Sequence, residues 1–250
     1  MNKTSRDAES NAVTWYRRIL MLSSRPDPRS YPRTDLLRIL AQKSFRLGEF
    51  KLSSGGTSDY YIDCRSTTLD AKGSRLTGEV FTEEIRQRGW KPAAIGGLTM
   101  GADPIVTAVS VVSGELNGFL VRKAEKQHGI GQRIEGSREK GARVVIVDDV
   151  CTTGASTVQA IKAAREFGFE VVGVMCLVER EEAKGRPQVE KAAAPAPFVS
   201  IFTAGEVRTE HVMQNDDTSP AIFAVAAVCE LCGRPAVTNN PRNRCAAHKL

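Results

Sequence analysis

No apolar run in this sequence is long enough to cross a bilayer. The longest, AIFAVAAVC at 221–229, falls far short of the roughly 20 residues that a spanning helix needs. The opening MNKTSRDAESNAVTWYRRILMLSSRPDPRS lacks an apolar core of roughly 7–15 residues beside a small-residue cleavage site, so no secretory leader is expected. The six cysteines do not spread evenly either. Cys64, Cys151 and Cys176 are scattered, and the other three sit together near the C-terminus, unlike the disulfide framework of a small secreted protein. These absences lead to the expectation of a cytoplasmic protein. There is no internal repeat and no long basic run. The formal net charge of +6 suits anionic small-molecule substrates at least as well as nucleic acid. With 41% hydrophobic and 26% charged residues the composition is that of an ordinary soluble chain. Its 250 residues suffice for one sizeable α/β domain with an appendage.

What is present is an alternation of periods. Residues 1–33 are polar and arginine-rich, end in RPDPRSYPR, and read as an N-terminal arm. TDLLRILAQKSF (34–45) has helical apolar spacing at Leu36, Leu37, Leu40 and Ala41, with Thr34 as N-cap. EFKLSSGGTSDYYIDCR (49–65) reads as strand, glycine turn, strand, and a helix follows across 72–88. AAIGGL (93–98), GFLVR (118–122), RVVIVDDV (143–150) and VVGVMCLVE (171–179) are apolar runs of strand length, alternating with helical stretches at 101–112 and 155–167. EKAAAPAPF (190–198) reads as a low-complexity connector before a last strand, FVSIF. Apolar strands alternating with helices predict an α/β fold with a mainly parallel sheet covered on both faces.

The segment VVIVDDVCTTGAST (144–157) raises a question of cost. It puts two carboxylates at the end of a buried strand, where charge is expensive unless it is paired or bound. In a parallel α/β sheet, ligands bind beyond the carboxyl ends of the strands. A Gly/Thr/Ser loop at a helix N-terminus offers N–H groups, hydroxyls and a favourable dipole to a phosphate. Adjacent carboxylates can bind ribose hydroxyls or, through water, a hard cation such as Mg2+. A bare Asp-Asp before a glycine turn is also an ordinary capped connection. The loop is neither a Walker A loop, since no Gly-Lys-Ser/Thr follows, nor a dinucleotide fingerprint.

VRKAEKQHGIGQRIEG (121–136) places Arg122, Lys123, Lys126 and His128 within seven residues. It is too polar for a core strand and too glycine-rich for a stable helix, and reads as a mobile basic loop suited to closing over a pyrophosphate. Three further stretches stand in order along the chain: FKLSSGGTSDYYIDCRSTTLD (50–70), GGLTMGADPI (96–105) and LVER (177–180). Together with VVIVDDVCTTGAS, these resemble the motifs of the type I phosphoribosyltransferases. The spacing Arg-Lys-x-x-Lys-x-His-Gly resembles the catalytic loop of the orotate phosphoribosyltransferase family in particular. The resemblance covers about 34–207 and implies the Rossmann-like fold of that family, with a small N-terminal hood.

The resemblance implies orotate + 5-phosphoribosyl 1-pyrophosphate (PRPP) ⇌ orotidine 5′-monophosphate + diphosphate, a Mg2+-dependent step in the de novo biosynthesis of UMP, carried out by a homodimer. On this reading Asp148 and Asp149 contact the ribose hydroxyls. Val150, Cys151, Thr152, Thr153, Gly154, Ala155 and Ser156 form the PRPP loop, with residues 152–156 at the 5′-phosphate. Arg122, Lys123, Lys126 and His128 meet the pyrophosphate, and Lys126, His128 and Asp149 are the catalytic residues. Thr152 and Arg180 meet orotate, Arg180 at its carboxylate. Ser53 stands where many members carry lysine, and Glu179 where the family often has Asp.

The C-terminal CELCGRPAVTNNPRNRCAAH (229–248) spaces Cys229, Cys232, Cys245 and His248 as C-x2-C-x12-C-x2-H. Two short knuckles a dozen residues apart suit a closed structural Zn2+ site. A redox CxxC is the competing reading. The chain therefore divides into an arm (1–33), a phosphoribosyltransferase domain (34–207) and an extension with a zinc knuckle (208–250). Two alternatives stay open: a phosphoribosyltransferase for another base, and a PRPP-sensing regulator that binds nucleic acid. The basic loop and Arg180 argue against the first, and the presence of Lys126 and His128 argues against the second.

Overall fold

The first element in space is a helix that starts before the predicted one. The structure, a computed structural model, describes residues 30–52, 56–123 and 133–215. Helix α1 (Ser30–Ile39) begins at Ser30 rather than Thr34, and its last turn widens into a π turn over Leu40–Ser44. Pro32 is tolerated there because first-turn N–H groups have no partner within a helix. Leu36, Leu40 and Ala41 of the predicted apolar face are buried, Leu37 is only partly so, and Ile39 is buried in addition. Strands β1 (Phe45–Leu52) and β2 (Gly56–Ile62) pair antiparallel as a hairpin hood. A short α2 (Arg65–Thr68) leads to α3 (Ala71–Gln87), whose N-cap Asp70 accepts the Gly73 N–H at 3.0 Å.

The remaining elements alternate as predicted. They are β3 (Ala94–Leu98), α4 (Asp103–Ser113), β4 (Asn117–Val121), β5 (Ile134–Gly136), β6 (Arg143–Cys151), α5 (Ala155–Phe167), β7 (Glu170–Glu179), α6 (Arg186–Ala193), β8 (Phe198–Thr203) and α7 (Ala204–Asn215). They form one sheet of order β5-β4-β3-β6-β7-β8, parallel except for the β4–β5 pair. The chain steps from β3 outward to β4, then returns to place β6 on the other side of β3. That reversal is a topological switch point, where doubly wound sheets open a crevice.

Alternate residues of the central strand feed the two faces. Val145 and Val147 pack with α1, α3 and α4, whereas Val144 and Ile146 pack with α5 and α6, the period-two pattern of a strand buried on both sides. Two expectations need correction. The 190–198 segment is not all connector: α6 runs through Ala193 because Val189 and Ala193, one turn apart, bury against the sheet. The antiparallel edge strand β5 was not expected, since three residues show too little alternation to mark a strand. No helix among the described residues is long and apolar enough to cross a membrane.

Candidate active site

The carboxyl ends of β3 and β6 open onto a cavity of about 790 Å3. Val144, Val145, Ile146 and Val147, the four residues before the aspartates, are all 0% exposed. At about 1.5–3 kcal/mol for each buried side chain, they anchor β6 firmly enough to carry an unfavourable charge at its end. Asp148 is that charge, 4% exposed. Its Oδ2 accepts the Thr157 hydroxyl at 2.6 Å and its Oδ1 accepts the Asp149 N–H at 3.1 Å. Burial nonetheless pushes its carboxyl up to about 7, against the lowering effect of the Thr157 bond. Asp149 is more open: its Oδ1 accepts the Val150 N–H at 2.8 Å. A Cβ on Gly101 would lie 2.4 Å from that same oxygen, so a side chain there would push the Asp149 carboxylate out of its present position.

Beyond β6 the loop Thr152–Thr153–Gly154 turns into α5, with Ala155 and Ser156 exposed at its first turn. Those N–H groups have no helical acceptor and point a positive dipole end outward. The loop rests on the start of α6. A Cβ on Gly185 would sit 2.2 Å from the Thr152 carbonyl oxygen. Glu179 holds this contact in place: it is 5% exposed, and Arg186 grips it through Nε at 2.9 Å and a second bond from Nη2. Glu179 thus braces α6 and takes no part in lining the cavity.

The structure brings Asp148, Asp149, Val150, Thr152, Ser156, Arg122, Lys123 and Arg180 to the cavity wall, as the sequence reading expected. Cys151 behaves differently. Its side chain packs into the sheet core on the α5 face, its carbonyl accepts the Arg180 N–H at 2.9 Å as the β6–β7 ladder ends, and it does not line the cavity. Thr153, Gly154 and Ala155 shape the loop and helix start without lining the cavity. Lys126, His128 and Ser53 lie outside the described residues, as do Cys229, Cys232, Cys245 and His248. Arg122 and Arg133 flank 124–132, and the Arg122 N–H donates to the Arg133 carbonyl at 2.9 Å.

Several wall residues were not anticipated. Tyr61, Asp63, Arg65, Met100 and Glu135 line the same cavity. Asp63 binds Arg65 through both oxygens, at 2.9 and 2.8 Å, and Arg65 holds the carboxyl of Asp63 below its usual range. The charges in IDCR were the available signal, but only the fold brings them opposite Asp149. Thr157 closes the TTGAST run, and its position nine residues after Asp148 had no visible meaning in sequence. The wall therefore offers cations for a polyanion, carboxylates for hydroxyls and a half-buried arginine for a further anion. Among the described residues no group of three or more His, Cys, Asp or Glu could hold a metal by itself.

Comparison with known proteins agrees with this geometry. The family model described as "Phosphoribosyl transferase domain" matches residues 70–193. The orotate phosphoribosyltransferase of Aquifex aeolicus is 41% identical over 182 residues, covering 70% of this chain and 97% of that protein. A crystal structure of the Mycobacterium tuberculosis orotate phosphoribosyltransferase in complex with Fe(III) dicitrate matches with a TM-score of 0.63 at 36% identity, covering 70% of this chain and 98% of that one. A second structure of that enzyme, in complex with PRPP, matches with a TM-score of 0.59 at 34% identity over 70% and 98% of the two chains. The strand-end aspartates, the phosphate loop and these relatives at full domain length lead to one conclusion: the chain belongs to the orotate phosphoribosyltransferase family.

Proposed function

We propose that this chain transfers the phosphoribosyl group of PRPP to orotate, giving orotidine 5′-monophosphate and diphosphate in pyrimidine biosynthesis. The observation that carries the reading is the convergence of Asp148, Asp149, Thr152, Ser156 and Arg180 on one cavity. The loop and the α5 N-terminus bind the 5′-phosphate through backbone N–H groups and hydroxyls. Asp149, with Asp148, accepts the ribose hydroxyls and stabilises the positive charge that develops at C1 as diphosphate leaves. Arg122, Lys123, Lys126 and His128 neutralise the leaving group and help exclude water, which would otherwise hydrolyse PRPP. Thr152 and Arg180 face orotate, and Arg180 selects its carboxylate through charge-assisted hydrogen bonds.

Magnesium fits this donor set. The wall supplies hard carboxylate oxygens in a pair rather than a cage, and Mg2+ is commonly held by one or two carboxylates together with substrate phosphates. Asp149, with the substrate's own oxygens, would hold it, and when bound it supplies charge neutralisation on the diphosphate. The remaining assignments rest on sequence. The transferase domain spans 34–207 between an arm (1–33) and an extension (208–250) that binds a structural Zn2+ through Cys229, Cys232, Cys245 and His248. The chain works in the cytoplasm as a homodimer.

The test is loss of orotate absorbance with PRPP and Mg2+, comparing the native chain with Lys126→Ala. Turnover in the native chain and a fall of about 10²–10³ in the variant are expected. A folded, zinc-replete native chain that leaves orotate untouched would refute the proposal.

A further inference from the structure

Arg180 follows directly on β7 with its side chain 11% exposed, and it is held by Ser58 and Tyr60 of the hood and by Glu182 of the turn after β7. Its Nε donates to the Tyr60 phenol oxygen at 2.9 Å and to Glu182 Oε1 at 3.0 Å. Its Nη2 donates to Ser58 Oγ at 3.1 Å. The guanidinium carbon lies 4.5 Å from the centroid of the Tyr60 ring, within cation–π range. The direction of every bond in the cluster follows. An arginine can only donate, so the phenol oxygen accepts from it and the phenol proton goes to Glu182 Oε1, with which Tyr60 is bonded. The Ser58 hydroxyl likewise accepts from Arg180 and donates to the Tyr60 carbonyl at 2.8 Å. Burial and the bond to Glu182 push the phenol up to about 12, so Tyr60 stays a donor throughout the working pH range. The ring itself is fixed by stacking on Phe45 at 5.1 Å.

These contacts use the single Nε proton and one of the two on Nη2. Nη1 has no acceptor among the described residues, and Arg180 lines the cavity beside Asp149 and Thr152. A guanidinium pinned at one edge and unpaired at the other is shaped for a planar anion. Without the pin, an arginine side chain loses much of its rotamer freedom on binding a ligand, which weakens affinity.

Resting on the reading above, we propose that Tyr60 and Glu182 are positioning residues for base selection: they clamp the Nε edge of Arg180 and so present its Nη1 side to the orotate carboxylate. The clamp also spans two parts of the fold, since Tyr60 belongs to the hood hairpin and Glu182 to the turn after β7. Assembly of the carboxylate subsite therefore depends on the hood sitting over the sheet.

The test uses Tyr60→Phe, which keeps the ring on Phe45, and Glu182→Gln, at a half-exposed position where folding is not at risk. Each is expected to raise the KM for orotate about tenfold, the size of one charged hydrogen bond, with the KM for PRPP and kcat within about twofold. In an Arg180→Ala background the same substitutions should have no further effect. A general loosening of the hood would instead raise both KM values together, and that outcome, or effects that add in the Arg180→Ala background, would overturn the proposal. An active native chain with unchanged variants refutes the clamp alone. A native chain without orotate turnover refutes the functional reading and the clamp with it.

Discussion

Asp148→Asn is expected to make the protein more stable and less active, with the stability gain tied to pH. In the folded chain the carboxyl rises from 3.8 to about 7 because it is buried. A group that titrates higher when folded prefers its protonated form there, so the unfolded chain loses the proton first as pH rises. Stability from this group is whole below about pH 4, declines between about pH 4 and 7, and stays reduced above. The rise corresponds to about 4 kcal/mol when both states are ionised, at about 1.36 kcal/mol per tenfold change in proton affinity. The amide avoids the ionisation cost and keeps partners on both sides. Its oxygen can accept the Asp149 N–H, and its NH2 can donate to the Thr157 hydroxyl, which reverses its role. Allowing about 1 kcal/mol for burying the amide leaves a net gain of about 3 kcal/mol at pH 8. For a chain of this length that raises Tm by roughly 6–12 °C. At pH 5.5 about half of the ionisation cost remains, and the gain shrinks to roughly 2–4 °C. Thermal unfolding followed by circular dichroism at the two pH values measures both numbers. Steady-state kinetics should show the KM for PRPP at least tenfold higher, since a charged acceptor for ribose is gone. A variant no more stable than the parent at pH 8, or a gain that does not shrink at pH 5.5, would refute the argument.

Two other perturbations follow from the same site. Gly185→Ala puts a methyl group 2.2 Å from the Thr152 carbonyl oxygen and must displace the phosphate loop. The KM for PRPP should rise at least tenfold while the KM for orotate moves much less, and initial-rate kinetics in both substrates would separate the two. For the C-terminal extension, metal analysis of the purified full chain should find one zinc per chain, and Cys232→Ser should abolish it; a metal-free native chain that unfolds at the same temperature as a zinc-loaded one would remove the knuckle from the account.

Several features were legible before any coordinates because they depend on local pattern. The alternation of VVIV-type runs with amphipathic stretches specifies parallel strands and covering helices, since the period of burial is written in the residues themselves. The Gly-Thr-Ser loop before α5 could be read as a candidate phosphate site for the same reason: its backbone groups act where they stand in the chain. Arg180 and the aspartates were named from motifs, and they do reach the cavity. What the chain pattern did not disclose are the relations between distant segments. Thr157 turns back onto Asp148, Arg186 grips Glu179 beneath the phosphate loop, and Tyr60 holds Arg180 from 120 residues away. Each is a hydrogen bond whose energy depends on an ångström-scale distance set by packing, and periodicity carries no information about such distances. Local pattern was enough for the parallel strands, the loop and the charges available. Which charge is buried, which is braced and which edge of Arg180 stays unpaired among the described residues emerge only on docking, because desolvation and pairing do not exist before the elements meet.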